Sequence, residues 1–355
     1  MNHLFHHLRD FRLFAATLLC ILGFQSGAHA QIEVRNIPHA PVFESHELMY
    51  MTLTGDLKEL LKDKEDDRSY HTFTLKYVEN GDTLKQAVRL RTRGHFRRDA
   101  CRFPPIRIKF DSASVANTQF EGINNLKLVT HCNTKSERYE QQLLNEYLVY
   151  RGYNLMTDRS YGVRLAKIRY IDSSGDMDPV EKFGFMIEPT RMMAARLGGQ
   201  EIERGVHPNS VAVSLGTKMA LYQFMVGNTD WSVAALHNVR LIQTEQGGLP
   251  IPIPYDFDWC GIVDAPYAKP NPTLGITDVR ERVYRGFCQS DEVFQREFEE
   301  FKRQKEDLIA LYQEADWLDE KVKKRAVEYL EEFFEILDSP KLSKRLITEG
   351  CRKDR

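Results

Sequence analysis

The stretch "QAVRLRTRGHFRRDACRFPPIRIKF" runs from Gln86 to Phe110 and decides how its surroundings are read. Its two ends, "QAVRLRTRG" and "PPIRIKF", alternate apolar and polar residues with period two, the mark of half-buried strands. Between them, Arg91 to Pro105 forms a loop with five arginines, whose planar forks suit phosphate oxygens. The same alternation recurs on both sides, in "LMYMTLT" from Leu48, "HTFTLKYV" from His71 and "NNLKLVTH" from Asn124. "GDLKELLKDKEDD" reads as a short helix and an exposed turn, and "ENGDT" as a hairpin turn with Asn80-Gly81 at the positive-φ positions. One helix follows over Ser136 to Tyr153. Ser136 is its N-cap, Tyr139, Leu143, Leu144, Tyr147, Leu148 and Tyr150 form its apolar stripe, and its end lies near Gly152. Two further strands, "YGVRLAKIRYI" and "KFGFMIEP", complete this part of the chain.

Beyond Pro189 the balance shifts. "SLGTKMALYQFMVG" reads as a buried helix, and "HNVRLIQ" and "LPIPIPYDF" as two strands joined across Gly247-Gly248. The last stretch is helical, with Phe294, Phe298, Phe301, Leu308 and Tyr312, then Leu318, Val322, Ala326, Tyr329, Phe333 and Leu337, at three-to-four spacing. The expectation is an α+β protein of two lobes. A β-rich N-lobe with one helix covers 31–188, and a mainly helical C-lobe with a strand hairpin covers 189–355, joined near Glu188.

Composition narrows the class. The 355 residues are 42% hydrophobic, with 20 Phe and 15 Tyr, so a large core is available. The formal net charge of −2 gives no electrostatic case for nucleic acid or for a membrane surface as partner. Residues 1–30 have the layout of a secretory signal peptide. Arg9 and Arg12 precede the apolar run Leu13–Phe24, and Ala28-His29-Ala30 stands before Gln31. The run is too short for a comfortable membrane span, and Cys20 lacks the preceding small residue of a lipoprotein site. These features predict an exported protein, periplasmic or secreted, with no stable membrane insertion after cleavage. Of the cysteines beyond residue 30, Cys101 is expected to pair with Cys132 and Cys260 with Cys288, with buried free thiols as the alternative. None has zinc-ligand spacing.

The chemistry concentrates in "GNTDWSVAALHN" (Gly227–Asn238) and "PIPYDFDWC" (Pro252–Cys260). In a hairpin, the start of one strand lies beside the end of the next. Asn238 and Asp256 should therefore be neighbours, with Asp230 close by. Oxygen ligands converging at a strand end suit a hard cation such as Mg2+. Asp256 and Asp258 share a strand face, so either could be the ligand, and Asp256 is favoured. A spare Asp beside such an ion can act as a base. An Asp base, an Asn metal ligand and an Asp metal ligand in that order are also the layout of a kinase catalytic site. Lys109 and Lys127 are strand lysines, and Glu140 and Glu146 lie on the helix that follows. His237 reads as structural.

The ordered series "RLRTRGHFRRDACRFPPIRIKF", "FEGINNLKLVTH", "YLVYRGYNL", "KFGFMIE" and "GNTDWSVAALHN…PIPYDFDW" resembles the CotH-like spore-coat kinases, an atypical protein-kinase family, from Val88 to Tyr267. The resemblance implies a kinase-like two-lobed fold that transfers the ATP γ-phosphoryl group to protein Ser, Thr or Tyr hydroxyls. It implies Asp230 as the catalytic residue, and Asn238 and Asp256 (with Asp258 as the alternative) as ligands of Mg2+ or Mn2+. Arg93, Arg97 and Lys127, or else Lys109, would contact the phosphates, and Glu188 would sit at the inter-lobe hinge near the adenine. The family's phosphate loop usually reads Arg-Gly-Asn-Ser-Ser, where this chain has Arg93-Gly94-His95-Phe96-Arg97, and the Asp-to-Asn spacing is eight. The alternatives are a non-catalytic envelope or structural protein on the same fold, and a divalent-metal hydrolase using Asp230, Asp256 and Asp258.

Overall fold

Strand alternation places every second side chain on one face, and in this protein those faces close on one another. A computed structural model describes residues 40–245 and 247–353; the stretch 1–30, which reads from sequence as a signal peptide, lies outside them. β1 (Met49–Gly55), β2 (His71–Glu79), β3 (Asp82–Thr92), β4 (Ile106–Lys109), β5 (Asn125–Val129), β6 (Val163–Asp172) and β7 (Val180–Ile187) form a closed barrel in the order β1-β2-β3-β4-β5-β7-β6. Neighbours are antiparallel except β1 and β6, whose parallel pairing closes the ring. Leu53, Leu75, Leu90, Ile106, Ile108, Leu126, Leu128 and Ile168 fill the interior without solvent contact. Asn80 and Gly81 take positive φ in the β2–β3 turn, as expected.

Helix α1 (Leu57–Lys62) follows β1, its first turn capped by the Asp56 carboxylate, which accepts from the Glu59 N–H. The arginine loop is not all loop, because Phe96–Ala100 forms the short helix α2. Helix α3 (Glu137–Met156) begins after Ser136, whose side chain makes no capping bond, and passes Gly152 by a turn. That glycine is a packing position. A Cβ there would stand 2.6 Å from the Tyr222 hydroxyl, which donates to the Val149 carbonyl at 2.6 Å.

The remaining elements are α4 (Thr190–Arg196), β8 (Gln200–Ile202), α5 (Val213–Met225), β9 (Val239–Gln243), β10 (Ile251–Pro254), α6 (Asp291–Arg303), α7 (Lys305–Gln313), α8 (Glu320–Asp338) and α9 (Pro340–Ser343). β8, β9 and β10 make a separate three-stranded sheet in the order β10-β9-β8. On α8, Tyr329, Phe333 and Leu337 are buried as the spacing required, each contributing about 1.5–3 kcal/mol.

The two-lobed kinase-like expectation is overturned. The first part of the chain is a closed seven-stranded barrel with three helices rather than a β-rich lobe with one, and the second part carries its own three-stranded sheet besides its helices. The core also ignores a boundary at Glu188. A single apolar cluster takes Val129, the α3 stripe and Phe185 together with Phe224, Phe257, Phe301, Phe333 and Cys351. The reason lies in long-range pairing. Alternation says which side chains point inward, but not that β6 returns to the β1 edge. Nor does an apolar stripe on α3 name the surface it packs against, which includes α7 and β7.

Two disulfides are present. Cys101–Cys132 forms as expected, but Cys288 pairs with Cys351, and Cys260 is a buried free thiol. Cys260 sits in the apolar core, whereas the Gly286–Cys288 segment lies beside Arg352 through the Cys288 N–H to Arg352 carbonyl bond at 3.0 Å. No described helix is long and apolar enough to cross a membrane.

Candidate functional site

The β9–β10 hairpin brings the two acidic stretches together. Val239 pairs with Pro254, and the Tyr255 N–H donates to the Asn238 carbonyl at 3.0 Å, so Asn238 and Asp256 flank the same ladder end. Both take positive φ, 52° and 61°, a conformation that Asn and Asp accept more readily than other side chains. The Asp256 N–H is held by the Tyr150 hydroxyl of α3 at 2.7 Å.

Asp230 is tied to this end through Asn238. The Asn238 amide nitrogen donates to the Asp230 carbonyl at 2.8 Å and to Asp230 Oδ2 at 3.0 Å. Those bonds use both amide hydrogens, and among the described residues no donor reaches Asn238 Oδ1. His237, read from sequence as structural, places Nε2 2.8 Å from Asp230 Oδ1. The 230–237 excursion is closed by a two-way bridge between Ser232 and His237, which accommodates the eight-residue spacing. The Asp230 side chain remains 39% exposed, so its carboxylate can be reached from solvent.

Asp256 and Asp258 meet a different partner. Arg97 of α2 donates to Glu146 Oε2 at 2.9 Å and Oε1 at 3.3 Å, and to Asp256 Oδ1 at 3.0 Å. Its Nε stands 3.3 Å from Asp258 Oδ2, which also accepts from the Tyr267 hydroxyl at 3.0 Å. Carboxylate oxygens of Glu146, Asp256 and Asp258 lie within 4.8 Å of one another, the one such trio among the described residues. One guanidinium thus serves three carboxylates, two of them almost fully buried.

The electrostatics follow from that count. Burial opposes the Arg97 charge, but Asp258 and Glu146 overcome it and raise its pKa well above the ordinary value. Burial pushes Glu146 up against the pull of Arg97. Burial, with Asp256 and Glu146 as like charges, pushes Asp258 up much further. For Asp256, burial is outweighed by Arg97 and Arg93, and its carboxyl is held below the usual range. Within the trio, Arg97 and Arg93 favour the charged form of Asp256, whereas burial and the neighbouring carboxylates favour the protonated form of Asp258.

A row of cations crosses the outside of the barrel next to this cluster. Arg91 on β3 stands opposite Arg107 on β4, and Arg107 opposite Lys127 on β5. The next row pairs Arg89 with Lys109. Like charges directly opposite one another in a ladder are unfavourable, and these five make no ion pair among the described residues. Arg91, Lys109 and Arg89 gather around the Tyr70 ring at 4.6, 5.5 and 5.9 Å. Lys127 lies over the Tyr255 ring at 5.4 Å, with Arg240 at 5.1 Å. Burial and the charge of Arg93 bring the Lys127 pKa down to about 8. Burial likewise lowers Arg93, against the attraction of Asp256.

Of the residues singled out from sequence, Asp230, Asn238 and Asp256 come together, and Arg93, Arg97 and Lys127 surround Asp256. Asp258 belongs with Glu146 and Arg97 rather than with Asn238. Lys109 is on the cationic face but in the Tyr70 group. Glu188 is fully buried, with its two oxygens taken by Arg196 at 3.2 and 3.0 Å and by the Gly162 N–H at 2.9 Å. Its expected place at a hinge falls with the two-lobed fold. Arg91, expected in the phosphate-binding loop, lies on β3, and Arg107 and Arg240 carried no role from sequence, although the alternation in "VRLRT" and "PIRIKF" already put Arg89 and Arg91 on one face and Arg107 and Lys109 on one face.

The donor set decides what could bind. The Glu146–Asp256–Asp258 trio fits Arg97, which already satisfies it. Asn238 Oδ1 and the partly exposed Asp256 fit a hard cation, being oxygen donors at adjacent ladder ends. The unpaired cations fit phosphate oxygens. No protein-family model matches the chain, and no curated protein matches it either.

Proposed function

We propose that this protein is an exported phosphotransferase that moves the γ-phosphoryl group of ATP, in the presence of Mg2+ or Mn2+, to Ser, Thr or Tyr hydroxyls of a protein substrate. The observation that carries the reading is the row Arg91–Arg107–Lys127, cations in no ion pair among the described residues, beside a hairpin end that presents Asp230, Asn238 and Asp256. Phosphoryl transfer asks a protein mainly for positioning and for neutralising charge on the phosphate oxygens. Lys127 and Arg107, carried on neighbouring barrel strands, and Arg93 just beyond β3 would supply that charge. Asp230 would orient the acceptor hydroxyl and take its proton, its own carboxylate being held by His237 and Asn238. Asn238 and Asp256 would hold the metal, which would supply further neutralisation of the phosphates. Positive φ at both residues is the kind of local strain that gathers at functional sites. Export agrees with the two disulfides, which persist in oxidising compartments.

A second reading has one observation in its favour. Arg97 already saturates Glu146, Asp256 and Asp258, as a purely structural cluster would be saturated. On that reading the protein is a non-catalytic envelope component that keeps the site for stability or ligand binding.

The deciding experiment incubates the mature chain with labelled ATP and Mg2+ or Mn2+, alongside Asp230→Ala and Asp256→Ala. The phosphotransferase reading expects metal-dependent nucleotide binding and transfer in the wild type. It expects binding without transfer in Asp230→Ala, and loss of the metal dependence in Asp256→Ala. Absence of nucleotide binding in the wild type sinks it, and binding without any transfer favours the second reading.

A further inference from the structure

Away from the barrel, α5, the Trp231–Ala234 segment and the stretch around Tyr284–Phe287 enclose a cavity of about 250 Å³. A cavity of roughly 150 Å³ already holds benzene, so a ring with a substituent fits here. Its walls are mostly apolar, with Val211, Val233 and Phe287 among them, and no Asp or Glu lines it. Three observations give it a polarity. Trp231 and Tyr284, only 7% and 4% exposed, stand in its wall, and the Trp231 indole N–H and the Tyr284 hydroxyl have no hydrogen-bond partner among the described residues. Such groups are costly to leave unmade, and a small turn of either side chain toward the cavity would let a ligand oxygen satisfy them. Arg285 and Arg352 also line the cavity, and burial together with the Arg352 charge keeps Arg285 below its usual basicity. Arg285 spends part of its fork on the Thr229 and Trp231 carbonyls, which fixes it. The Arg352 guanidinium lies 4.9 Å over the Phe287 ring and makes no ion pair among the described residues. The Cys288–Cys351 disulfide, one residue from each, pins Phe287 and Arg352 together in the wall.

We propose that this cavity binds a small aryl carboxylate, with its ring among Val211, Val233 and Phe287 and its carboxylate on Arg352 and Arg285. Two guanidiniums, one already engaged with carbonyls, suit a singly charged carboxylate better than a doubly charged phosphate. The ring takes the apolar space, and the Trp231 and Tyr284 donors turn inward to meet the remaining oxygen lone pairs. The cavity adjoins the proposed phosphoryl-transfer site, since Arg285 feels the Asp230 charge and bonds the carbonyls on either side of it, but its lining does not include Asp230, Asn238 or Asp256, and the proposal stands whether or not the protein binds nucleotide.

The test uses phenylacetate as the probe, with calorimetry and the indole N–H resonances of the 15N-labelled protein. Trp231 is assigned by Trp231→Phe, and Trp259 and Trp317 serve as internal controls. The expected result is saturable binding that moves the Trp231 resonance. Arg352→Gln, a surface change that leaves the other resonances in place, should weaken binding roughly tenfold, the loss of one charge-assisted hydrogen bond. Acetate and benzyl alcohol, each half of the probe, should bind more weakly than phenylacetate. No binding overturns the proposal, as does binding undiminished by Arg352→Gln or seen only at Trp259 or Trp317. Tighter binding of phenyl phosphate overturns the carboxylate assignment. ATP titrated into the same sample separates this outcome from that of the phosphotransferase reading.

Discussion

Replacing Arg97 with glutamine should destabilise the protein strongly at pH 8 and much less at pH 5. Among the described residues Arg97 is the only cation paired with Glu146 and Asp258, whose side chains are 2% and 7% exposed, and it also holds the partly exposed Asp256. Breaking a buried ion pair from one side costs about 3–5 kcal/mol, because the partner charge stays buried. The cluster can escape by taking up protons, at about 1.4 kcal/mol for each pKa unit moved. Asp258 is already pushed well up, so Glu146 and Asp256 carry most of the loss. In the wild type, the depressed Asp256 contributes stability that is present above its unfolded pKa and lost as pH falls through its folded one. The raised Asp258 and Glu146 act oppositely, since the folded state keeps protons that the unfolded chain releases, and stability falls as pH rises past the unfolded carboxylate range. Without Arg97, Asp256 joins that second class, so the deficit must grow with pH. The expectation is a loss of about 3–5 kcal/mol at pH 8, shrinking to about 1–2 kcal/mol at pH 5. Urea titrations at both values with the disulfides intact measure it. A loss under about 1 kcal/mol at pH 8, or one independent of pH, refutes the claim that Arg97 holds this trio.

Lys127, with its pKa lowered to about 8, should bind tripolyphosphate best below that pH, because the anion favours the protonated amine; affinity should fall as pH rises from 8 to 10. Lys127→Gln should weaken binding roughly tenfold and flatten that pH dependence, as isothermal titration would record. Cys260, whose thiol is pushed up by burial, should resist a disulfide reagent in the native Cys20→Ser protein and react as a single thiol after denaturation without reductant. Two reactive thiols in the native state would contradict the disulfide pattern. Gly227 has a φ of 69°, and a Cβ there would stand 2.0 Å from the Tyr329 hydroxyl, so Gly227→Ala should shift the 227–230 segment. Thermal unfolding should show a loss of at least about 2 kcal/mol.

The sequence determined the elements whose cause is local. Period-two alternation located the seven barrel strands, the Asn80-Gly81 turn and the β9–β10 hairpin, because pleat and turn chemistry act within a few residues. The hairpin by itself required Asn238 and Asp256 to be neighbours. The same alternation put Arg89 and Arg91 on one face of β3, and Arg107 and Lys109 on one face of β4. Only the tertiary structure decided that β6 returns to β1 and closes the barrel, and that α3 belongs to the same core as α5 and the last helices. It alone decided that Cys288 meets Cys351, that Glu188 is spent on Arg196, and that Arg97 reaches across to Glu146, Asp256 and Asp258. Each of these joins residues far apart in the chain, where the choice of partner depends on which surfaces are buried together. Local pattern fixes which way a side chain faces, and packing of the whole chain fixes what it faces.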